Sequence, residues 1–357
     1  MKSQKSKPAN SWTLKMNCFK KSSMRWASAC CALWLVAAGL VSPVGAEGNK
    51  TFIKFATLAP EGSGWMNEMH LLDKELQKAT GGEVAFKFYA GGVSGDEMDV
   101  IRKMRIGQVH GAGFTGVGLG DILPEVRVLD LPFLFRADKE VEHIYETMND
   151  HFAKQFESKG YILLGWVPVG WVHFFSNHPI QSAHDLRHSK PWMWEGDPLV
   201  REAYSALEVA PLPLSITDVL LSLQTGIIDT VYSSPVGALA LQWFTKVKYM
   251  SELRMGNASG AVLITKKIFD KLSPEHQKAL REVGKKHLKE LVRIIHADNA
   301  KSIEAMKKNG LILTPQPDAN EIKKFEKIGE TVRKNLTGKL YSQELLDRVL
   351  SHLKEVQ

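Results

Sequence analysis

The chain has 357 residues, 44% hydrophobic and 24% charged, with 28 glycines and 15 prolines, a composition that excludes a disordered, collagen-like or disulfide-stapled protein. The formal net charge of +7 is carried entirely by Lys2, Lys5, Lys7, Lys15, Lys20, Lys21 and Arg25, since no Asp or Glu precedes Glu47. The rest is formally neutral, which excludes the broad basic surface that a nucleic-acid or acidic-membrane partner would require.

Residues 1–46 have a cationic start, an apolar run from Ala27 to Val41 and a small-residue end at Val44-Gly45-Ala46, the layout of a secretory signal peptide with cleavage expected after Ala46. The apolar run, about 15 residues, falls short of the roughly 20 that span a bilayer as a helix, which weighs against an uncleaved anchor. It follows Cys30 instead of preceding it, which weighs against a lipoprotein. Cys18, Cys30 and Cys31 all lie in this leader, so the exported chain is expected to have no disulfide, thiol nucleophile or Cys-ligated metal.

The 311 residues after Ala46 exceed what one core usually serves, so two domains are expected. No Gly/Ser spacer, low-complexity tract or repeat separates them, and the chain should cross between domains through ordered structure. Thr51–Thr57 reads as a strand and Trp65–Thr80 as a helix buried through Met66, Met69, Leu72 and Leu76. Val84–Tyr89 is a second strand, Gly95–Ile106 a helix and Val109–Phe114 a third strand, a β-α-β-α-β start that predicts an α/β fold with a largely parallel sheet. Strands at Tyr161–Val167 and Trp171–Ser176 follow. Ser215-Ile216-Thr217-Asp218 reads as a capping box opening a helix to Thr225, ended by Gly226, with a strand over Ile227–Tyr232. Ser273 as N-cap and Pro274 at the first position open a helix that keeps Leu280, Val283, Leu288, Leu291 and Ile295 on one face. It could run some 35 residues, about 50 Å, long enough to brace two domains.

Gly111-Ala112-Gly113-Phe114-Thr115-Gly116 spells G-x-G-x-x-G, but the glycines continue through Gly118 and Gly120 with no amphipathic helix and no suitably placed acid after them. A permissive loop is favoured over a dinucleotide site. His184 and His188 have the spacing of two metal ligands on a helix, yet they sit between Pro179 and Pro191 without a third ligand, which favours a solvated turn. No nucleophile elbow, Walker loop or H-E-x-x-H pattern is present, so a hydrolase or metal enzyme has no anchor and no cofactor is implied. Six of the nine tryptophans follow the leader. Trp192 and Trp194 alternate on one strand face, a spacing shared by a ligand wall and a core strand.

Four stretches together resemble the substrate-binding subunits of TRAP (tripartite ATP-independent periplasmic) transporters of the DctP type: Val128–Phe135, Pro179–Leu186, Leu220–Asp229 and Leu272–Gln277. The resemblance implies a periplasmic solute-binding receptor and no enzyme: an α/β fold of two domains with hinge strands and a long domain-bridging helix. Domain I would comprise residues 47–169 and 258–297, domain II residues 170–257 and 298–357. It implies an organic ligand held in an interdomain cleft and delivered to small and large integral membrane subunits. In the family, an arginine that pairs with the ligand carboxylate stands where this chain has Trp192, and a second arginine of some members falls at Val172. The chain is thus similar to an atypical branch that lacks the arginine, whose implied partners include a helical-repeat periplasmic protein. The expected ligand moves from a small dicarboxylate toward an uncharged, apolar or amphipathic molecule. Expected contacts are Trp192, Trp194, Glu195, Trp171, His173, Tyr232, Ser233, Ser234, Phe114, Thr115 and Trp65. The alternative is an ordinary organic-acid receptor whose cation comes from Arg127, Arg187 or Lys190.

Overall fold

The computed structural model describes residues 50–357; the leader, its cysteines and the expected cleavage point lie outside the described residues. In chain order the elements begin with β1 (Thr51–Ala56), α1 (Gly64–Ala79), β2 (Val84–Tyr89), α2 (Glu97–Arg105), β3 (Gly111–Thr115), α3 (Gly116–Ile122), a 3-10 segment (Pro124–Asp130), α4 (Asp138–Thr147), α5 (Asn149–Ser158) and β4 (Tyr161–Trp166). Next come β5 (Gly170–Ser176), α6 (Ala183–Arg187), β6 (Trp192–Trp194), α7 (Pro198–Ala206), β7 (Leu212–Leu214), α8 (Val219–Thr225), β8 (Thr230–Ser233), α9 (Pro235–Ala240), β9 (Tyr249–Ser251) and β10 (Gly256–Ala258). The chain closes with β11 (Gly260–Thr265), α10 (Lys266–Phe269), α11 (Pro274–Lys308), β12 (Ile312–Thr314), α12 (Ala319–Leu336) and α13 (Gln343–Leu353).

Two sheets organise the described chain as a two-domain α/β fold. The first has the order β2-β1-β3-β11-β4. Strand alternation puts Ile53, Phe55, Leu164 and Val262 in one buried cluster with Leu72 of α1 and Leu291 of α11, and Ala56, Phe114, Leu163 and Leu263 in another with Ile101 of α2 and Ile144 of α4. Both faces of this sheet are therefore covered. The second sheet has the order β10-β5-β9-β12, with β8 also pairing β5.

The first sheet is largely parallel, as expected, but not wholly so: four of its five strands share one direction and β11 runs against them. Strands β2 and β3 run parallel to β1, but β11 is antiparallel to both β3 and β4. The reason is connectivity. Strand β11 arrives from β10 of the other sheet across the single residue Ser259, and not through a helical crossover that would return it parallel.

The passage between sheets is ordered, as expected. Val167 N donates to Gly260 O at 2.7 Å and Val169 N to Ala258 O at 2.9 Å, so the β4–β5 and β10–β11 connections run as hydrogen-bonded neighbours. Helix α11 spans 35 residues, about 50 Å at 1.5 Å per residue. Ser273 caps it by accepting from His276 N at 3.2 Å, and the five apolar residues expected on its face are all buried. It packs on α1 and β4 of the first sheet and on α9 beside the second. Helix α13 packs against α4. No helix among the described residues is long and apolar enough to cross a membrane.

Two local expectations change. Ser215 makes no capping bond; a 3-10 turn at Ile216–Asp218 precedes α8, and the Ser215 hydroxyl donates to Asp96 at 2.6 Å, a stronger charge-assisted partner than a backbone amide. The strand after Gly226 begins only at Thr230.

Two glycines test the packing in opposite directions. A Cβ on Gly260 would collide with the Val167 carbonyl, whereas one on Gly284 in α11 would meet nothing closer than Leu164 Cβ at 4.0 Å. Gly260→Ala should destabilise by about 1–3 kcal/mol, and Gly284→Ala should stabilise by about 0.5–1 kcal/mol because it removes a helix-interior glycine. Urea unfolding monitored by tryptophan fluorescence measures both.

Candidate functional site

A cavity of about 330 Å³ lies between the two sheets. Its walls come from the β1–α1 loop, β3, the segment 124–130, the β4–β5 crossover, β5, β6, the start of α7, the β8–α9 turn and β10. Apolar and aromatic side chains dominate the lining. Such a concave, mostly apolar space with a few polar groups is the usual form of a small-molecule site.

Trp192 is 1% exposed and is among the residues lining the cavity. It stacks on Tyr232 at 4.8 Å between ring centroids and meets Trp243 edge-on at 5.2 Å. Its Nε1 donates to Leu214 O at 3.0 Å, on the neighbouring strand β7. Trp194, two residues on and on the same face, donates from Nε1 to Asp96 at 3.1 and 3.2 Å. Core strand and cavity wall are thus the same feature. Both indole N–H groups are used inside the protein, so these rings offer the cavity π-surface and no donor.

Of the residues expected from the sequence, Trp65, Phe114, Thr115, Trp192, Trp194, Tyr232, Ser233 and Ser234 line the cavity. Trp171, His173 and Glu195 do not. The strand alternates, and it is Val172 and Phe174 of β5 that face the cavity. Trp171 turns away and donates to Asp138 at 2.8 Å. His173 lies 2.8 Å through Nδ1 from Ser251 O, and burial lowers its pKa to about 4. Glu195 follows the end of β6 and is exposed. Ser234 caps α9, accepting from Gly237 N at 3.2 Å.

The charged groups were the less legible part. Arg127 lines the cavity, 5% exposed. Its Nη2 reaches both oxygens of Asp197 at 2.9 and 3.0 Å, and its Nη1 lies 3.2 Å from Asp130 Oδ2. It joins the 3-10 segment to the start of α7, where Asp197 also caps the helix by accepting from Leu199 N at 2.9 Å. Arg187 and Lys190 lie away from the cavity; Arg187 is bonded to Leu207 O and Lys190 to Gly226 O. Among the described residues, Arg127 is the one Lys or Arg that lines the cavity, and its charge faces two carboxylates.

The glycine-rich run acquires a reason. A helix does follow β3, contrary to expectation: α3 starts at Gly116. The Glu97 carboxyl sits at its N-terminus, accepting from Thr115 N at 2.8 Å and Gly118 N at 2.7 Å, which is where a phosphate would bind. A Cβ on Gly116 would overlap Asp130, one on Gly118 would overlap Glu97, and one on Gly120 would overlap Arg127. The glycines make room for the side chains of Asp130, Glu97 and Arg127, and the Glu97 carboxyl takes the amides at the start of α3. Where a solvated turn was expected, His184 lies on the short helix α6 and His188 caps its end, with His188 Nδ1 2.8 Å from the His184 carbonyl oxygen.

A sequence profile for DctP, described as bacterial extracellular solute-binding protein, family 7, matches residues 55–339. The chain is 26% identical over 242 residues to the 2,3-diketo-L-gulonate-binding periplasmic protein of Escherichia coli, covering 66% of this chain and 72% of that one. It is 25% identical over 282 residues to the ectoine-binding periplasmic protein of Halomonas elongata, covering 75% and 81%. A TRAP periplasmic solute-binding protein of Pseudomonas putida F1, crystallised with bound D-glucuronate, superposes with a TM-score of 0.77 at 25% identity, over 84% of this chain and 96% of that one.

Removing the guanidinium leaves two buried carboxylates facing each other. Arg127→Ala should therefore cost about 3–5 kcal/mol in urea unfolding. Burial raises the pKa of Glu97 to about 8, against the lowering effect of the Thr115 and Gly118 amides. The folded protein thus holds a proton there that the unfolded chain has released above its model value of 4.5. This contribution is complete below 4.5 and declines until the pH passes about 8. The melting temperature of Glu97→Gln should fall less than that of the parent between pH 5 and 8.

Proposed function

The chain belongs to the DctP family of bacterial extracellular solute-binding proteins and is a periplasmic TRAP-type receptor rather than an enzyme, and from that premise we propose that its ligand is an uncharged, apolar or amphipathic organic molecule held between the two sheets. The observation that carries this reading is the pairing of Arg127 with Asp130 and Asp197 in a cavity whose lining is dominated by aromatic and aliphatic groups. A ligand carboxylate would have to displace Asp197 from a buried pair, and breaking such a pair costs about 3–5 kcal/mol. Val172 and Trp192 both line the cavity, and we read them as taking the positions of the family's second and first arginine. The chain thus reads as an atypical member without the carboxylate-binding arginine.

We assign binding to Trp65, Phe114, Trp192, Trp194 and Tyr232, with Thr115, Ser233 and Ser234 as polar neighbours in the same lining. The sequence-based division into residues 47–169 with 258–297, and 170–257 with 298–357, is retained for the two lobes, with α13 reaching back onto α4. The receptor would close on its ligand and hand it to small and large integral membrane subunits after a leader ending at Ala46 is removed. Closure follows only if the ligand favours the closed state.

Mass spectrometry of what is extracted from the denatured, purified protein tests the ligand class. An uncharged or amphipathic molecule is expected, and a uronate or another small acid in stoichiometric amount would overturn the reading. In a separate titration, Trp192→Arg should weaken n-octanol binding more than tenfold; equal affinity would remove Trp192 from the wall.

A further inference from the structure

Away from the cavity, the place where α13 packs against α4 gathers three side chains able to ligate a metal. His143 comes from α4, His352 from α13 and Glu355 from the turn that follows it. None of the three lines the cavity. Among the described residues they are the one group of three His, Cys, Asp or Glu side chains whose ligating atoms all lie within 4.8 Å of one another.

The three converge. His143 Nε2 lies 2.9 Å from Glu355 Oε2, and His352 Nδ1 lies 3.0 Å from Glu355 Oε1. Each imidazole thus addresses a different oxygen of one carboxylate, with 6.4 Å between the ring centroids. Hydrogen bonds from His352 and His143 hold the Glu355 carboxyl below the usual carboxylate range, so it is ionised at neutral pH. The arrangement is held from both helices. His352 and Glu355 are three apart in sequence, and Lys139, one turn before His143 on α4, donates to Val356 O at 2.8 Å and keeps the chain end against that helix.

Both histidine contacts can be exchanged for metal bonds. Each ring moves its proton to its other nitrogen, or releases one if it is an imidazolium, and turns a lone pair toward the carboxylate. A tetrahedral zinc ion with bonds of about 2.0–2.2 Å sets its ligands about 3.4 Å apart, close to the two His–Glu distances. All three side chains are partly exposed, so an ion can reach them and they can adjust around it.

We propose that His143, His352 and Glu355 form a binding site for a zinc-class divalent cation, which fastens the last turn of the chain to α4. Two imidazoles and a carboxylate suit Zn2+ and its borderline neighbours, whereas Mg2+ and Ca2+ favour all-oxygen sets. Three protein ligands leave the fourth position to water. The site is separate from the cavity, and the inference holds whichever solute the cavity takes.

The test titrates Zn2+ into the purified exported protein, carrying no histidine tag, by isothermal calorimetry at pH 7. One equivalent should bind, and Mg2+ should give no heat. Co2+ in its place should show the intense visible absorption of a tetrahedral site. His143→Ala and His352→Ala should each weaken Zn2+ binding more than about tenfold, and Glu355→Gln should weaken it too. Where an alanine variant fails to fold, His143→Gln should show the same loss. The other close histidine pair, His184 and His188, with ring centroids 4.2 Å apart, is the control: His184→Ala with His188→Ala should leave the affinity unchanged. A parent that does not bind, His143 variants that bind as the parent does, or loss in the control variant overturns the site. Zn2+ should also slow amide exchange in the last turn of α13, and a bound ion without that protection overturns the fastening.

Discussion

The buried ion pair between Arg127 and Asp197 decides what the cavity can be. Arg127 belongs to the segment that follows α3 beside the first sheet, and Asp197 opens α7, which packs beside the second. Their contact, with both side chains under a tenth exposed, stitches the two halves together at the wall of the cavity. It also takes the nearest positive charge out of circulation. A buried pair is stable mainly because breaking it strands a charge, so the arginine is held to its carboxylates unless a ligand offers something better.

A second seam lies nearby. Asp96 begins α2 with its own capping box, yet its carboxylate also receives Trp194 Nε1, Ser215 Oγ and Ile216 N from the other half. One side chain thereby starts a helix, orients an indole and holds a loop. Trp194 is fixed in rotation by this bond and Trp192 by Leu214 O and the Tyr232 stack. Rings held this way present a preformed surface, and less conformational entropy is lost when a ligand lands on them.

What the sequence disclosed divides along physical lines. Patterns with a local cause were readable: the 35-residue α11 from its cap and its apolar period, and the shared face of Trp192 and Trp194 from strand alternation. On β5 polarity pointed to the wrong face: His173 shares a face with Trp171, both expected at the cavity, whereas the apolar Val172 and Phe174 line it. The mixed direction of the first sheet was hidden because β11 depends on a crossover between sheets and not on its own sequence. The charge cluster was hardest. Glu97, Arg127, Asp130 and Asp197 are spread over a hundred positions, and the one local signal was the run of glycines from Gly116 to Gly120, legible only once the side chains they accommodate are seen.

A carboxylate-binding arginine and an aromatic wall would discriminate between ligands differently. A guanidinium fork contributes two charge-assisted bonds of about 1.5–3 kcal/mol each and selects for a planar anion. An indole burying roughly 150–250 Å² against a ligand contributes a comparable gross amount at about 25 cal/mol per Å², but selects only for shape and low polarity. Specificity must then come from elsewhere in the cavity. In this chain the one Lys or Arg lining the cavity among the described residues, Arg127, is held by Asp130 and Asp197, so an anion reaching it would lose its hydration and meet two carboxylates beside the guanidinium.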